Sequence, residues 1–159
     1  AEAGVDIRYH DKFILYPDYD KPPVFNLKLD DHVAVLKLFP GIRKAVVESV
    51  LNIPGLKGVV LETFGSGNAL REQWFVDVLA RAINKGIVIV NVTQCLYGNV
   101  EMHRYGTGQH LEKLGVVPGH DLTTEAALAK MMLLQGSGLK SEEVRALMPV
   151  SARGELTVR

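Results

Sequence analysis

The sequence has 159 residues, of which 47% are hydrophobic and 23% charged, a composition typical of one compact domain with its own core. Eighteen basic and eighteen acidic residues cancel, so no basic stripe indicates nucleic acid or an anionic membrane surface as a partner. The apolar runs are too short to cross a bilayer, which takes about 20 residues. One cysteine, Cys95, cannot form an internal disulfide, so a reducing compartment is the simpler expectation.

Residues 1–31 are expected to precede the core. The opening AEAG predicts the last turn of a helix closed by a glycine, and because the sequence does not begin with Met we expect a piece of a longer protein. Residues 5–9 predict a short strand, and residues 17–23, with three prolines, predict a linker. Residues 25–29 alternate apolar and polar side chains and predict a half-buried strand.

From residue 32 onward, predicted strands and helices alternate. The strands are expected at 32–38, 56–61 and 87–92, and the helices at 42–51, 71–84, 107–114, 126–134 and from 141 onward. Asp121 is a predicted N-cap, with Glu125 in the first turn, and residues 126–134 are apolar nearly all round, which predicts burial or an interface. The alternation predicts an α/β fold with an open, mostly parallel sheet flanked by helices, of Rossmann-like or flavodoxin-like type.

A loop with two glycines follows the second of these strands. Ligands of open α/β sheets bind at the carboxyl ends of the strands. The candidates at this position are Glu62, Thr63, Gly65, Gly67 and Asn68. The loop lacks the Gly-Lys-Ser/Thr of a P-loop and the third glycine of GxGxxG, so a nucleotide phosphate is poorly supported. Two interpretations of Asn68 stay open: its amide meets a ligand, or it caps the following helix.

Other polar residues give no complete reaction centre. Thr93, Gln94 and Cys95 follow the third strand, but a lone cysteine is more often a core residue than a nucleophile. Asp30 and Asp31 precede a strand, whereas the acids of a phospho-acceptor receiver domain follow one. No CxxC or HExxH pattern accompanies the histidines, and no nucleophile has an evident base at a recognisable spacing. The residues alone therefore predict no metal and no cofactor.

Several stretches occur in an informative order: LETFGSGNA, GIVIVNVTQC, YGTG, GVVPGHDLTTEAALAKMMLL and RGELT. In this order and at these spacings they resemble the C-terminal domain of type I, cytoplasmic-type bacterial L-asparaginases. The resemblance covers at least residues 32–157. It implies that residues 1–31 connect to a preceding domain, that residues 32–159 form the C-terminal α/β domain, and that the N-terminal catalytic domain is absent from this chain.

The resemblance also implies an activity for the parent protein. Asparaginases of this family hydrolyse L-asparagine to L-aspartate and ammonia, and their catalytic threonines lie in an N-terminal domain that opens with a TGGT-type motif. No such motif occurs here, so the resemblance implies no catalytic residue in this chain and no activity of the fragment alone. The implied partners are the N-terminal domain, further subunits of a cytoplasmic homo-oligomer, and L-asparagine or L-aspartate.

Residue by residue, the resemblance implies two binding roles. The family's GSGN loop reaches the active site of a neighbouring subunit, and its asparagine, here Asn68, helps to bind the amino-acid end of the substrate. Some type I enzymes also bind asparagine at an allosteric site, whose matching positions are Glu62, Thr93, Gln94 and Cys95. Glu62 stands where the family has an arginine, which reverses a charge that an effector carboxylate would need. The replacement predicts that this protein is not regulated in the same way.

Two other functions stay open besides an amidohydrolase domain. The chain could be a free-standing module that senses an amino acid at the loops 62–68 and 93–95. Alternatively, it could have a purely structural and assembly role. In that case helix 126–134 would be a subunit interface and Asn68 a simple helix cap.

Overall fold

The computed structural model describes residues 2–11, 14, 16, 19–102 and 106–157. Near its start lies a small antiparallel pair of strands, β1 (Glu2–Ala3) and β2 (Ile7–Arg8). A parallel sheet follows, in the order β3 (Val33–Lys37), β4 (Gly58–Thr63), β5 (Val88–Thr93), β6 (Val117–Pro118). The helices of the described residues are α1 (Lys44–Leu51), α2 (Gln73–Asn84), α3 (Gly106–Leu114), α4 (Thr124–Gly136) and α5 (Ser141–Leu147).

The sheet is covered on both faces, as predicted. Because successive strand residues point to opposite faces, β5 contributes Ile89 to one core cluster and Val90 to the other. The first cluster contains residues of α1, α2 and α3, and the second contains residues of α4 and α5. The open parallel sheet flanked by helices is thus confirmed. Of the helices in the described part of the chain, none combines the length and apolarity that crossing a bilayer requires.

The predicted helix end at the start of the chain is wrong. Glu2 and Ala3 pair with β2, and the backbone N–H of Gly4 donates to the carbonyl of Asp6 at 3.1 Å in the intervening turn. The short strand expected at residues 5–9 is confirmed only as Ile7–Arg8. The local composition is typical of a helix end. These residues form a strand instead, because β2 follows a few residues later and pairs with them.

The predicted strand at residues 25–29 is also wrong. No described strand pairs with it, and its apolar side chains Phe25 and Leu27 are 76% and 88% exposed. The segment instead leads to α4, where the backbone N–H of Asp30 donates to the carbonyl of Met132 at 3.0 Å. Alternation alone does not make a strand, because a strand also needs a neighbour for its backbone groups.

The helix after Asp121 begins differently from the prediction. Thr123 is the N-cap of α4, and its hydroxyl accepts from the N–H of Ala126 at 3.1 Å, while Glu125 lies in the first turn as expected. Asp121 has another role: its carboxylate accepts hydrogen bonds from the backbone N–H and the hydroxyl of Thr157. Asp121 therefore fastens the C-terminal segment near the carboxyl ends of the strands.

A buried lysine fastens the same segment to α4. Only one side of α4 is buried, namely Ala127, Lys130 and Met131, so an interface role for residues 126–134 stays a prediction. The ammonium of Lys130, whose side chain is 8% exposed, donates to the carboxylate of Glu155 at 2.6 Å and to the carbonyl of Val150. A buried charge of this kind is tolerated because it is paired and hydrogen-bonded.

Glu155 is held in its ionised form. Burial disfavours the charged carboxylate, but hydrogen bonds from Lys130 and from the backbone N–H groups of Ala152 and Arg153 outweigh burial and lower its pKa to about 2. Since the ordinary value is 4.5, the pair stabilises the fold above about pH 5. That contribution is lost as the pH falls toward 2.

We expect the variant Glu155→Gln to have a free energy of unfolding about 3 kcal/mol lower at pH 7, because it leaves Lys130 buried without its counter-charge. Its stability should also depend less on pH between 5 and 2 than that of the unsubstituted chain. Urea unfolding at pH 7, 4 and 2.5 measures both effects, with Glu112→Gln on the exposed surface of α3 as the matched control. Equal acid dependence of the unsubstituted chain and Glu155→Gln would contradict the assignment.

Candidate functional site

The loop between β4 and α2 closes on itself. We call residues 64–68 the glycine loop. Phe64 and Asn68 each donate a backbone N–H to the other's carbonyl at 2.8 Å, so the loop's two ends are joined like a short hairpin. Gly65 and Gly67 have φ angles of 51° and 102°, in the left-handed region that side chains rarely adopt. The backbone conformation at these two positions therefore favours glycine.

Two side chains of β5 form hydrogen bonds with the backbone of the glycine loop. Asn91 donates its side-chain N–H to the carbonyl of Gly67 at 3.3 Å, and the hydroxyl of Thr93 donates to the carbonyl of Gly65. Asn91 and Thr93 are two residues apart and so share one face of the strand. The carbonyl between the two glycines accepts from the backbone N–H of Glu101 at 3.0 Å. Three successive loop carbonyls are thus fixed by the rest of the domain.

Asn68 does not cap a helix. α2 begins at Gln73 and its N-cap residue is Glu72, four positions after Asn68. The helix-cap interpretation is therefore wrong. Asn68 is half-buried, and its side-chain nitrogen lies 3.9 Å from the position that a β-carbon on Gly65 would occupy. Its contact with a substrate remains a prediction.

The residues with a predicted effector role surround a separate cavity of about 230 Å³. Its lining includes Glu62, Thr93, Gln94 and Cys95, and Asn68 is not among the lining residues. Residues 121–125, at the start of α4, form its other wall. The structure therefore brings together the four residues that the sequence proposed for one site. Thr93 belongs to both regions, because it lines this cavity and bonds the glycine loop.

Glu62 is neutralised by a residue that the sequence analysis missed. Its carboxylate lies 3.2 Å from the ammonium of Lys37 and accepts a hydrogen bond from the hydroxyl of Thr124 at 2.6 Å. Lys37 is the register partner of Glu62 across β3 and β4. A strand register that pairs residues 25 positions apart leaves no local signal, so the sequence showed the reversed charge at position 62 but not its partner.

Two of the four predicted effector residues bond the backbone around them. The side-chain amide of Gln94 donates to the carbonyls of Leu38 and Glu62 at 2.6 and 3.0 Å, which ties the ends of β3 and β4 together. The hydroxyl of Thr93 also accepts from the backbone N–H of Cys95 at 3.0 Å. The Cys95 side chain is exposed. Gln94 and Thr93 therefore shape the cavity wall, and Cys95 offers a thiol at its mouth.

Beneath the glycine loop lies a polar pair in the core. Thr63 and Asn91 are both fully buried, and the Thr63 hydroxyl donates to the side-chain carbonyl of Asn91 at 2.7 Å. The sequence contained a signal for Asn91, since it interrupts the apolar run IVIVNV. Its partner Thr63 lies 28 positions earlier, and the sequence pattern associates Thr63 only with the loop residues that follow it.

One acidic cluster offers ligand atoms for a cation. Asp30, Asp31 and His32 place such atoms within 4.8 Å of one another. The Asp30 carboxylate, however, already accepts from Lys57 at 2.6 Å and from His32, and the bond from Lys57 holds the pKa of Asp30 well below its usual range. A metal ion would have to displace Lys57, so we describe the cluster as an ion pair at the start of β3.

Comparison with known proteins identifies the class. The Glutaminase/Asparaginase C-terminal domain family matches residues 32–148, and the chain belongs to this family. The chain is 41% identical to L-asparaginase 1 of Escherichia coli K12 over 125 residues, which are 79% of the chain and 37% of that protein. It is 39% identical to the 60 kDa lysophospholipase of Homo sapiens over 158 residues, which are 99% of the chain and 27% of that protein.

Solved structures of L-asparaginases also superpose on the chain. L-asparaginase I from Vibrio cholerae superposes with a TM-score of 0.78 at 39% identity, covering 84% of the chain and 40% of that structure. The L-asparaginase from Thermococcus kodakarensis superposes with a TM-score of 0.81 at 31% identity, covering 92% and 44%. The predicted resemblance to the C-terminal domain of type I L-asparaginases is confirmed. The chain spans between a quarter and a half of each of these relatives.

The tight contact beneath the glycine loop leads to a stability prediction. A β-carbon on Gly67 would lie 2.9 Å from the Val100 side chain and 3.2 Å from that of Asn91, whereas one on Gly41 would meet nothing within 4 Å. Both glycines have positive φ angles, 102° and 85°. Gly41→Ala should cost about 1 kcal/mol from backbone strain, and Gly67→Ala about 1–3 kcal/mol more from crowding.

Urea unfolding of the two alanine variants at equal pH measures this difference directly. Because Gly41 shares the backbone strain and lacks the crowding, it is the matched control. Equal destabilisation by the two substitutions would show that the glycine loop does not lie tightly on Asn91 and Val100.

Proposed function

We propose that the protein to which this chain belongs hydrolyses L-asparagine to L-aspartate and ammonia, and that residues 32–159 are its C-terminal domain. The observation that carries the proposal is the closed glycine loop, which brings Asn68 to the carboxyl ends of the strands in a chain of this family. Relatives named L-asparaginase, at 41% and 39% identity, support the reaction. The N-terminal domain would supply the catalytic threonines, because the chain has no TGGT motif.

In this proposal Asn68 contacts substrate bound mainly by a neighbouring subunit of a homo-oligomer. L-asparagine carries both an α-carboxylate and an α-ammonium group. A side-chain amide offers two N–H donors and one carbonyl acceptor, so it can bond either group. The bonded carbonyls of the loop support this role, because they hold in place the backbone that carries Asn68.

The proposed arrangement gives residues 1–31 the role of a connection to the preceding domain. Phe25, Leu27 and Leu29 are largely exposed in this chain, as expected of side chains that another domain covers in the parent protein. We also propose a cytoplasmic location, since the exposed thiol of Cys95 suits a reducing compartment. We propose neither nucleic acid nor a membrane as a partner.

The full-length protein should release ammonia from L-asparagine, and the 159-residue chain alone should release none, because the nucleophile lies outside it. A coupled ammonia assay measures both preparations, purified free of host asparaginase. L-glutamine in the same assay and a lysophospholipid in an assay of fatty-acid release are the comparison substrates, since relatives include proteins named 60 kDa lysophospholipase. Turnover by the chain alone, or hydrolysis of the lysophospholipid only, would overturn the proposal.

The same assay tests Asn68. In the full-length protein, Asn68→Ala should raise KM for L-asparagine about tenfold or more, because a hydrogen bond to a charged group contributes about 1.5–3 kcal/mol. Asn84→Ala, on the exposed side of α2, is the matched control. Unchanged kinetics of Asn68→Ala would leave the domain with a structural and assembly role.

A second candidate function is the binding of an amino-acid effector at the cavity lined by Glu62, Thr93, Gln94 and Cys95. Its volume of about 230 Å³ suits a ligand smaller than those of typical pockets, which measure roughly 300–1,000 Å³. Lys37 is the cation of the lining, and Glu62, Asp121 and Glu125 are its acids. The acidic balance favours a ligand with an ammonium group over one with only a carboxylate.

Calorimetric titration of the chain should therefore detect L-asparagine at millimolar concentration, and succinamate, which lacks the α-ammonium group, should bind more weakly. Glu62→Gln should weaken the binding of L-asparagine, with Glu112→Gln as the control of equal charge change. A flat titration with L-asparagine and L-aspartate would exclude the effector site.

A further inference from the structure

The buried pair Thr63–Asn91 has a position that suggests a function beyond packing. We propose that Asn91, supported by Thr63, is a positioning residue that sets the direction of Asn68 and thereby the affinity for substrate. The inference rests on the proposed function, since it concerns the same loop. Its evidence is separate: the burial of the pair, the order of its hydrogen bonds, and the peptide group that those bonds reach.

Asn91 is a buried polar side chain where an apolar one would fit. The neighbours of Asn91 along β5, Val90 and Val92, are fully buried, and so is Asn91 itself. A buried side-chain amide is unfavourable unless its donors and acceptor are bonded. Both ends of this amide are bonded: its carbonyl accepts from Thr63, and its N–H donates to the carbonyl of Gly67.

These bonds fix the orientation of the Asn91 side-chain amide. The carbonyl of Gly67 only accepts hydrogen bonds, so the Asn91 side chain must present its nitrogen to it. The side-chain oxygen then faces the Thr63 hydroxyl at 2.7 Å, which is shorter than the 3.2 Å from that hydroxyl to its other acceptor, the carbonyl of Val92. Thr63 thus selects the same orientation of Asn91 that the glycine loop requires.

Asn91 bonds the peptide group that joins Gly67 to Asn68. The carbonyl of Gly67 and the backbone N–H of Asn68 belong to one planar peptide unit. Asn91 bonds the oxygen of this unit, and the carbonyl of Phe64 accepts from its N–H at 2.8 Å. With both ends bonded, the unit cannot rotate freely. The direction in which the Asn68 side chain leaves the backbone is therefore set from the core.

The contact between Asn91 and the glycine loop leaves little space for the loop to shift. A β-carbon on Gly67 would lie 3.2 Å from the Asn91 nitrogen, so loop and side chain are in close contact. The same β-carbon would lie 2.9 Å from the side chain of Val100, which is itself buried. A change in the Asn91 side chain therefore alters the position of the loop, because no empty space separates the two.

Two isosteric substitutions in the full-length protein test the proposal. Asn91→Asp keeps the shape but loses the N–H that bonds Gly67, and Thr63→Val keeps the shape but loses the hydroxyl. Each should raise KM for L-asparagine at least fivefold, with a smaller change in kcat. Thr63→Ser, which keeps the hydroxyl, should recover part of the affinity that Thr63→Val loses. Ile89→Val, a buried truncation on the same face of β5, is the control for lost packing and should leave KM unchanged.

A double-mutant cycle separates positioning from general damage. If Asn91 acts through Asn68, then Asn91→Asp should change KM less than twofold in the Asn68→Ala background. An equal rise in both backgrounds, or an unchanged KM in Asn91→Asp and Thr63→Val while Asn68→Ala raises it, would overturn the inference and leave the proposed function intact. An unchanged KM in Asn68→Ala would instead overturn the proposed function. If Asn91→Asp does not fold, as judged by circular dichroism, the Thr63→Val and Thr63→Ser pair carries the same cycle.

Discussion

The arrangement of the candidate site depends on one hydrogen bond in the core, from the Thr63 hydroxyl to the side-chain carbonyl of Asn91. It joins the last residue of β4 to the middle of β5, at the point where the glycine loop leaves the sheet. Because both residues are fully buried, water cannot replace the bond, and the Asn91 side-chain carbonyl relies on the Thr63 hydroxyl as its donor. The loop is thereby bonded to side chains of the sheet.

The same strand end connects the two candidate sites. The hydroxyl of Thr93 bonds the carbonyl of Gly65 on one side and the backbone N–H of Cys95 on the other. Thr93 therefore connects the effector cavity, through covalent bonds and hydrogen bonds, to the loop that carries Asn68. Glu62 and Lys37 form an ion pair in that cavity, so its charge differs from what the sequence alone indicates.

Much of the fold was predictable, because it depends on local patterns. The run at residues 87–92 and the helical period of residues 71–84 identified β5 and α2 to within two residues. What could not be predicted depends on contacts between distant residues. Asp121 looked like a helix cap, but its partner is Thr157, 36 positions later. The strand expected at residues 25–29 failed for the same reason, since the pattern does not show whether a neighbouring strand exists.

The central claim is that Asn68 meets substrate bound mainly by another subunit. A crystal structure of the full-length protein with L-aspartate bound tests it most directly. The account predicts that the Asn68 side chain of one subunit lies within about 3 Å of the α-carboxylate or α-ammonium group of aspartate held by its neighbour. The bonds from Asn91 to Gly67 and from Thr63 to Asn91 should be unchanged. An Asn68 side chain remote from every bound aspartate, or a glycine loop detached from Asn91, would contradict the account.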